Sequence, residues 1–179
     1  GIISFVFDKN FNFETYTDYA LNVPMYFIKR NNQYIDMTGI SFKDFLNENK
    51  NKDNKLFEPE INDWIDHLST LFPQTRLKQY LEVRSMDACS WNEICSPAAF
   101  WTGLIYDDTS LAESMDFMKD WTNEERSYLN LMVPEFGLNT KFRQKNVIDI
   151  ARSLLKISES GLKRRNILST NKKYNERVD

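Results

Sequence analysis

The 179 residues include two cysteines and one histidine. A structural zinc site draws four ligands mostly from these two residue types, so such a site is excluded in practice. Cys89 and Cys95 stand six apart and form no disulfide framework for a chain this long. A reduced, cytoplasmic setting is the expectation from that usage. No apolar run approaches the ~20 residues that a membrane-spanning helix needs. A charged start followed by an apolar run and small residues, the mark of a signal peptide, is lacking. So is an excess of positive charge: 23 Lys and Arg face 26 Asp and Glu, a net charge of −3. Neither a membrane nor a nucleic acid is an expected partner on this balance. No internal repeat is visible.

What is present is apolar and aromatic. Hydrophobic residues make up 41% and aromatics 14%, too much for a disordered chain. A chain of this length fits one domain and would bury roughly 70% of its unfolded surface. It begins at Gly1, without an initiator Met, and enters an apolar run at once. The expectation is a piece of something longer.

Patterning predicts the elements. Ile2 to Phe7 reads as a strand. Phe11 to Leu21 carries Phe13, Tyr16, Ala20 and Leu21 at helical spacing, and Pro24 ends it. Met25 to Lys29 and Gln33 to Met37 read as strands joined by an Arg30-Asn31-Asn32 turn. Ser41 caps a short helix with Phe42, Phe45 and Leu46. Asn47 to Lys55 is a solvated loop of Asn, Lys, Glu and Asp. A helix from Ile61 to Leu71 places Ile61, Trp64, Ile65 and Leu68 on one face. Ser96-Pro97 starts a helix expected to be fully buried. Leu111, Met115 and Met118 are expected core positions of the next. Thr122 to Glu125 is a capping box, with Pro134 and Gly137 ending its helix. Asn146 opens the longest helix, with Gly161 as its stop. The lysines and arginines from Lys163 to Arg177 read as a solvated tail. Four strands followed mostly by helices predict an α+β fold with an antiparallel sheet on one side.

The chemistry concentrates between Arg76 and Asp87. Read as one strand, Leu77, Leu81 and Val83 point one way, and Arg76, Lys78, Tyr80, Glu82 and Arg84 the other. Glu82 and Arg84 then stand ~7 Å apart at the Cα atoms. A carboxylate can ligate Mg²⁺ while a neighbouring guanidinium takes phosphate oxygens in its planar fork. Together they neutralise charge on a transferring phosphoryl group. The same E-x-R spacing is equally that of an ordinary surface ion pair. His67, alone on its helix near Trp64, reads as structural. Met86, Met115 and Met118 read as packing.

The segments DYALNVPMYF (18–27), YIDMTGISFKDF (34–45), NDWIDHLSTLFPQTRLKQYLEVRSMD (62–87), PAAFWTGLIYDD (97–108), DWTNEERSYL (120–129) and VPEFGLNTKFR (133–143) resemble the glutamate–cysteine ligase family of plants and many proteobacteria. LLK at 154–156 and GLKRR at 161–165 also fit. The resemblance covers nearly the whole chain, as the C-terminal part of a single, longer catalytic domain. It implies a glutamine-synthetase-like fold, in which a curved antiparallel sheet floors the active site. It further implies a reaction with glutamate, cysteine and ATP as small-molecule substrates and Mg²⁺ as cofactor. The γ-carboxylate of glutamate is phosphorylated, and the cysteine amine then displaces phosphate to give γ-glutamylcysteine, the first step towards glutathione.

Glu82 and Arg84 match the E-x-R strand motif of that superfamily, where the Glu binds Mg²⁺ and the Arg meets the phosphoryl group. The resemblance makes Tyr19 a residue of the glutamate pocket; a core tyrosine fits it equally. Arg76 and Lys78 are candidates for nucleotide phosphates, and the salt-bridged or solvated ends of a strand fit them as well. Asp87 is expected to fix the turn after the strand. Relatives carry a glycine-rich turn where this chain has Ser85-Met86-Asp87-Ala88-Cys89, so the turn's shape departs from the pattern. Plant relatives also carry a Cys at the position of Met37, so their redox-sensitive hairpin bridge is not expected here. Cys95 matches a plant cysteine whose partner would lie upstream of Gly1. The 179 residues alone are expected to lack ligase activity. Two other readings stand beside the ligase: a non-catalytic α+β binding or assembly module, and a related ligase with another amine acceptor.

Overall fold

A computed structural model describes residues 3–48 and 58–168. Most of the 47–55 loop, Ile2, and the tail residues Lys172, Lys173 and Arg177 lie outside the described residues. The chain divides into two compact units, Gly1–Ser85 and Met86–Asp179.

The first unit runs α1 (Phe13–Asn22), β1 (Phe27–Arg30), β2 (Gln33–Asp36), α2 (Phe42–Glu48), α3 (Ile61–Thr70), β3 (Thr75–Leu77) and β4 (Leu81–Val83). Asn12 caps α1, its side chain accepting from the Thr15 N–H at 3.0 Å. β1 and β2 form the expected hairpin, Phe27 opposite Asp36 and Arg30 opposite Gln33. Asn31 and Asn32 turn it with φ of 50° and 61°, the left-handed pair that a two-residue hairpin loop requires. Ser41 caps α2 through the Asp44 N–H at 3.0 Å, as the sequence indicates. Met25, Ile28, Met37, Phe42 and Phe45 form the core, with Leu21, Ile35 and Trp64 against it.

Four expectations are corrected in this unit. Ser4–Phe7 is a 3₁₀ turn rather than part of a strand. Residues 77–84 are not one strand but run from the end of β3 through a turn into β4 of a hairpin, with Thr75 opposite Val83, Arg76 opposite Glu82 and Leu77 opposite Leu81. Leu81 is consequently exposed. The apolar face expected for α3 is not the buried one: Ile61 and Ile65 are exposed, while Asp63 and His67 are buried. The cause is a buried ion pair. Arg30 at the end of β1 donates to both Asp63 oxygens, at 2.6 and 2.7 Å, and to the Glu58 carbonyl at 2.7 Å. A buried charge requires such pairing, and it fixes which side of α3 faces inward. His67 donates from Nε2 to the Ala20 carbonyl at 2.8 Å and stacks on Phe42, 5.1 Å between ring centres. It is a packing residue, as expected.

The second unit holds α4 (Ser96–Ile105), α5 (Asp108–Met118), α6 (Asn123–Phe136), β5 (Lys141–Phe142), β6 (Lys145–Asn146) and α7 (Val147–Arg165). Thr122 and Glu125 form the expected capping box, and Asn146 opens α7. Pro134 sits inside α6, which ends at Gly137 with φ 54°. α4 begins one residue earlier than a Ser96 cap implies, and it is not fully buried: Ala99, Gly103 and Leu104 are buried, Ile105 is exposed. Met115 and Met86 are exposed rather than packed inside. In α5 the buried positions are Ser110 and Ser114. Gly161 does not stop α7; it lies within it, and Asn166 ends the helix with φ 51°. A Cβ at Gly161 would run into the Gly103 carbonyl of α4. The glycine serves close helix packing instead. Ser158 and Ser110 satisfy their hydroxyls across the same seam, on the carbonyls of Phe100 (2.8 Å) and Ile157 (2.9 Å).

The class is α+β, as expected, but the described strands form three separate two-stranded ribbons rather than one sheet.

Candidate active site

The β3–β4 hairpin begins where α3 stops. Pro73 follows the helix, and Arg76 folds back beneath its C-terminal end. The Arg76 Nη1 donates to the carbonyls of Ser69 and, at 3.1 Å, of Leu71. Carbonyls left unpaired at a helix C-terminus favour a cation, which explains the placement. Arg76 is 6% exposed. Its Nε and Nη2 both reach one oxygen, Oε2 of Glu82, each at 2.8 Å. A single strand would have held these two residues ~20 Å apart, six positions at ~3.3 Å each. The turn at 78–80, with the Lys78 N–H bonded to the Tyr80 carbonyl at 2.8 Å, brings them together instead.

Arg84 follows β4, its N–H extending the ladder to the Gln74 carbonyl at 2.8 Å. Its Nη1 lies 3.7 Å from the same Oε2 of Glu82. Its guanidinium sits over the Phe72 ring at 5.2 Å from the centre, and Phe72 packs edge-on with Tyr26 at 6.1 Å. Three cationic side chains therefore act on Glu82. The Arg76 hydrogen bond is the main cause that holds its carboxyl below the usual range, with Arg76, Lys78 and Arg84 charges adding to it. Glu82 Oε1 accepts no hydrogen bond among the described residues, and the side chain remains 31% exposed. Lys78 is exposed at the turn, with no ion pair among the described residues.

Tyr19 lies on α1. Its ring packs on Tyr16 at 5.9 Å and Phe5 at 6.0 Å. The Tyr16 hydroxyl accepts from the Leu77 N–H at 3.3 Å and so ties α1 to the hairpin. Burial, and then Tyr16, push the Tyr19 phenol up. Tyr19, Phe5 and Phe11 line an open cavity of about 350 Å³ together with Asp8 and Asp18, and no Lys, Arg or His among the described residues lines it. This environment favours a cationic group over a carboxylate.

The sequence-stated candidates thus divide. Glu82, Arg84 and Arg76 meet on one hairpin, with Lys78 at its tip; Tyr19 is joined to that hairpin through Tyr16. Arg76, a candidate for nucleotide phosphates or for a salt-bridged strand end, is buried and engaged with Glu82 and two helix carbonyls. Asp87, expected to fix a turn, makes no hydrogen bond among the described residues. Phe72 and Tyr16 were missed. Phe72-Pro73 at a helix stop is a signal for the first; nothing in the pattern marks the second.

As a magnesium site the hairpin offers one uncommitted carboxylate oxygen. Among the described residues no three of His, Cys, Asp or Glu gather as a metal-binding group. Mg²⁺ commonly takes one or two carboxylates and fills its remaining positions with water and substrate phosphate. Glu82 fits as a single ligand of such a set.

A family model described as glutamate-cysteine ligase family 2 matches residues 1–178. The chain belongs to the glutamate-cysteine ligase family 2. Among relatives, it is 50% identical over 166 residues to "Glutamate--cysteine ligase A, chloroplastic" of Oryza sativa subsp. indica, covering 92% of this chain and 33% of that protein. It is 48% identical over 165 residues to "Glutamate--cysteine ligase, chloroplastic" of Arabidopsis thaliana, 92% and 31% covered. With the Solanum lycopersicum protein of that name the identity is 46% over 170 residues, 95% and 32% covered. The chain thus spans about a third of the length of these glutamate-cysteine ligases. Their names carry a chloroplast address, which overturns the cytoplasmic expectation. That expectation rested on cysteine usage, which reports redox state and not an organelle.

Proposed function

We propose that the chain forms part of an ATP-dependent glutamate–cysteine ligase and carries one wall of its phosphoryl-transfer site. In this reading residues 1–179 are the C-terminal part of a single catalytic domain, and the β3–β4 hairpin contributes to a glutamine-synthetase-like sheet. Glutamate, cysteine and ATP are the substrates. Glu82 offers Oε1 to magnesium, which when bound would neutralise charge on the phosphates. Arg84, placed over the Phe72 ring, presents its fork to the phosphoryl group as it moves to the γ-carboxylate of glutamate. Lys78 reaches nucleotide phosphate from the turn. Tyr19 lines the glutamate pocket at its ammonium end, where Asp8 and Asp18 suit a cation. The cysteine amine then attacks the acyl phosphate, and phosphate leaves.

One observation carries this reading: Glu82 keeps one oxygen open beside Arg84 on a hairpin within a family match spanning the chain. In the ligase containing these residues, Glu82→Gln is expected to lower kcat roughly 10²-fold, as loss of a preorganised electrostatic group does, with a lower Tm because Arg76 loses its charged partner. A normal kcat in that variant overturns the role of Glu82. The 179 residues alone are expected to release no phosphate in the presence of ATP, glutamate and cysteine; robust turnover would overturn the partial-site reading.

A further inference from the structure

We propose that Arg76 is a positioning residue that keeps Glu82 and Arg84 apart and decides which carboxylate oxygen of Glu82 is offered outward. The inference rests on the ligase reading of Glu82 and Arg84 and deepens it.

Arg76 is fixed before it meets Glu82. Its Nη1 is held by the carbonyls of Ser69 and Leu71 at the end of α3, and it is 6% exposed. Nε and Nη2 therefore arrive in one orientation, and both converge on Oε2 at 2.8 Å. A guanidinium facing a carboxylate commonly pairs fork to fork, one donor to each oxygen. Here both donors take a single oxygen, and Oε1 is left without a hydrogen bond. The side-on geometry thus consumes one oxygen and leaves the other.

The alternative partner is close. Arg84 Nη1 stands 3.7 Å from Oε2, longer than a hydrogen bond. With Arg76 removed, Arg84 is the nearest cation among the described residues, and Glu82 is expected to swing onto it. That movement would close both groups at once: the carboxylate would face a guanidinium rather than a ligand, and the guanidinium would lose its free fork. A buried arginine anchored on a helix end prevents this collapse. Supporting partners of a metal-binding carboxylate typically set metal affinity by ten- to a hundredfold.

The test uses the ligase containing these residues, with Arg76→Met and Arg76→Lys beside Glu82→Gln. Arg76→Met is expected to raise the Mg²⁺ concentration for half-maximal activity roughly tenfold. It should weaken Mn²⁺ binding by the ATP complex, read by electron paramagnetic resonance, by a similar factor. Arg76→Lys keeps the charge but cannot span two carbonyls and Oε2, so it should fall between. A purely packing role lowers Tm while leaving Mg²⁺ half-saturation and Mn²⁺ affinity unchanged, and that result overturns the proposal. Should Arg76→Met fail to fold, Arg76→Lys alone decides on the same two readouts. Proton–nitrogen NMR of the ligase containing these residues gives an independent arm: the Arg76 Nε–H signal should be slow to exchange, and fast to exchange in Glu82→Gln. A fast-exchanging signal in the unaltered ligase overturns the proposal. If Glu82→Gln retains full activity and metal dependence while the Arg76 signal behaves as expected, the ligase role of Glu82 fails and the Arg76–Glu82 bond stands.

Discussion

Arg84 illustrates how one side chain is readied by an apolar neighbour. A guanidinium on a flexible stem loses rotamer freedom when it is asked to meet a phosphoryl group. Phe72 takes up part of that cost, because the ring face attracts the cation at 5.2 Å. Phe72→Leu keeps a bulky apolar group but removes the π face. At ~0.5–1 kcal/mol for an exposed cation–π contact, kcat/KM should fall about two- to fivefold, with Tm within a degree or two. Steady-state kinetics on the ligase checks it, and an unchanged kcat/KM would mean that Phe72 only packs. Alternation along the chain put Arg76 and Glu82 on one face, and the hairpin keeps that. It could not show that they touch, since alternation is blind to a turn at 78–80. Nor could it show the burial of Arg76, which comes from helix carbonyls that belong to no side-chain pattern.

At the scale of elements, capping chemistry was the most legible feature. Asn31-Asn32, Ser41, and Thr122 with Glu125 act where local hydrogen bonding places them, and at the start of α7 the Asn146 N–H donates to Asp149 at 3.1 Å. Faces were less legible. For α3 the apolar spacing of Ile61 and Ile65 competes with the need of Arg30 for a buried partner, and the ion pair prevails. Gly161 misled for a related reason: glycine ends helices by adopting positive φ, yet it also lets two helices approach. Gly161→Ala separates these roles. Helix propensity alone favours alanine by ~1 kcal/mol. The added methyl, however, meets the Gly103 carbonyl, a backbone atom that cannot rotate away. Overpacking of this kind costs ~1–3 kcal/mol, so chemical denaturation of the second unit should show net destabilisation. A more stable variant would return Gly161 to a simple helix position.

For the molecule as a whole, the α+β class was legible because helical and alternating patterns differ in period. The split into three two-stranded ribbons was not, because which strands pair with which leaves no mark in the alternation. The two units also carry different acid sensors, and this can be measured. The chain's one histidine, His67, is buried in the first unit beside Trp64, and burial holds its pKa down despite the Ala20 hydrogen bond. A histidine kept neutral by the fold takes up a proton more readily when unfolded. The unfolded state therefore binds more protons below its ordinary pKa of ~6.5, and stability falls as pH drops from there. In the second unit the sensors are carboxylates. Arg164 chiefly holds Asp107 down at about 2, and Arg143 holds Glu125 down at about 2. Their contribution is complete above the unfolded values of ~4 and is lost as pH falls from ~4 through 2. The first unit should accordingly begin to weaken near pH 6.5 and the second only below about 4.5. The Trp64 indole NMR signal reports the first, and those of Trp101 and Trp121 the second. Hydrogen exchange of Trp64, corrected for its intrinsic pH dependence, should speed up between about pH 6.5 and 5, with Trp101 and Trp121 unaffected in that range. His67→Gln should abolish the difference between the units in that window. Simultaneous loss of protection in all three indoles at a single pH would refute separate sensing.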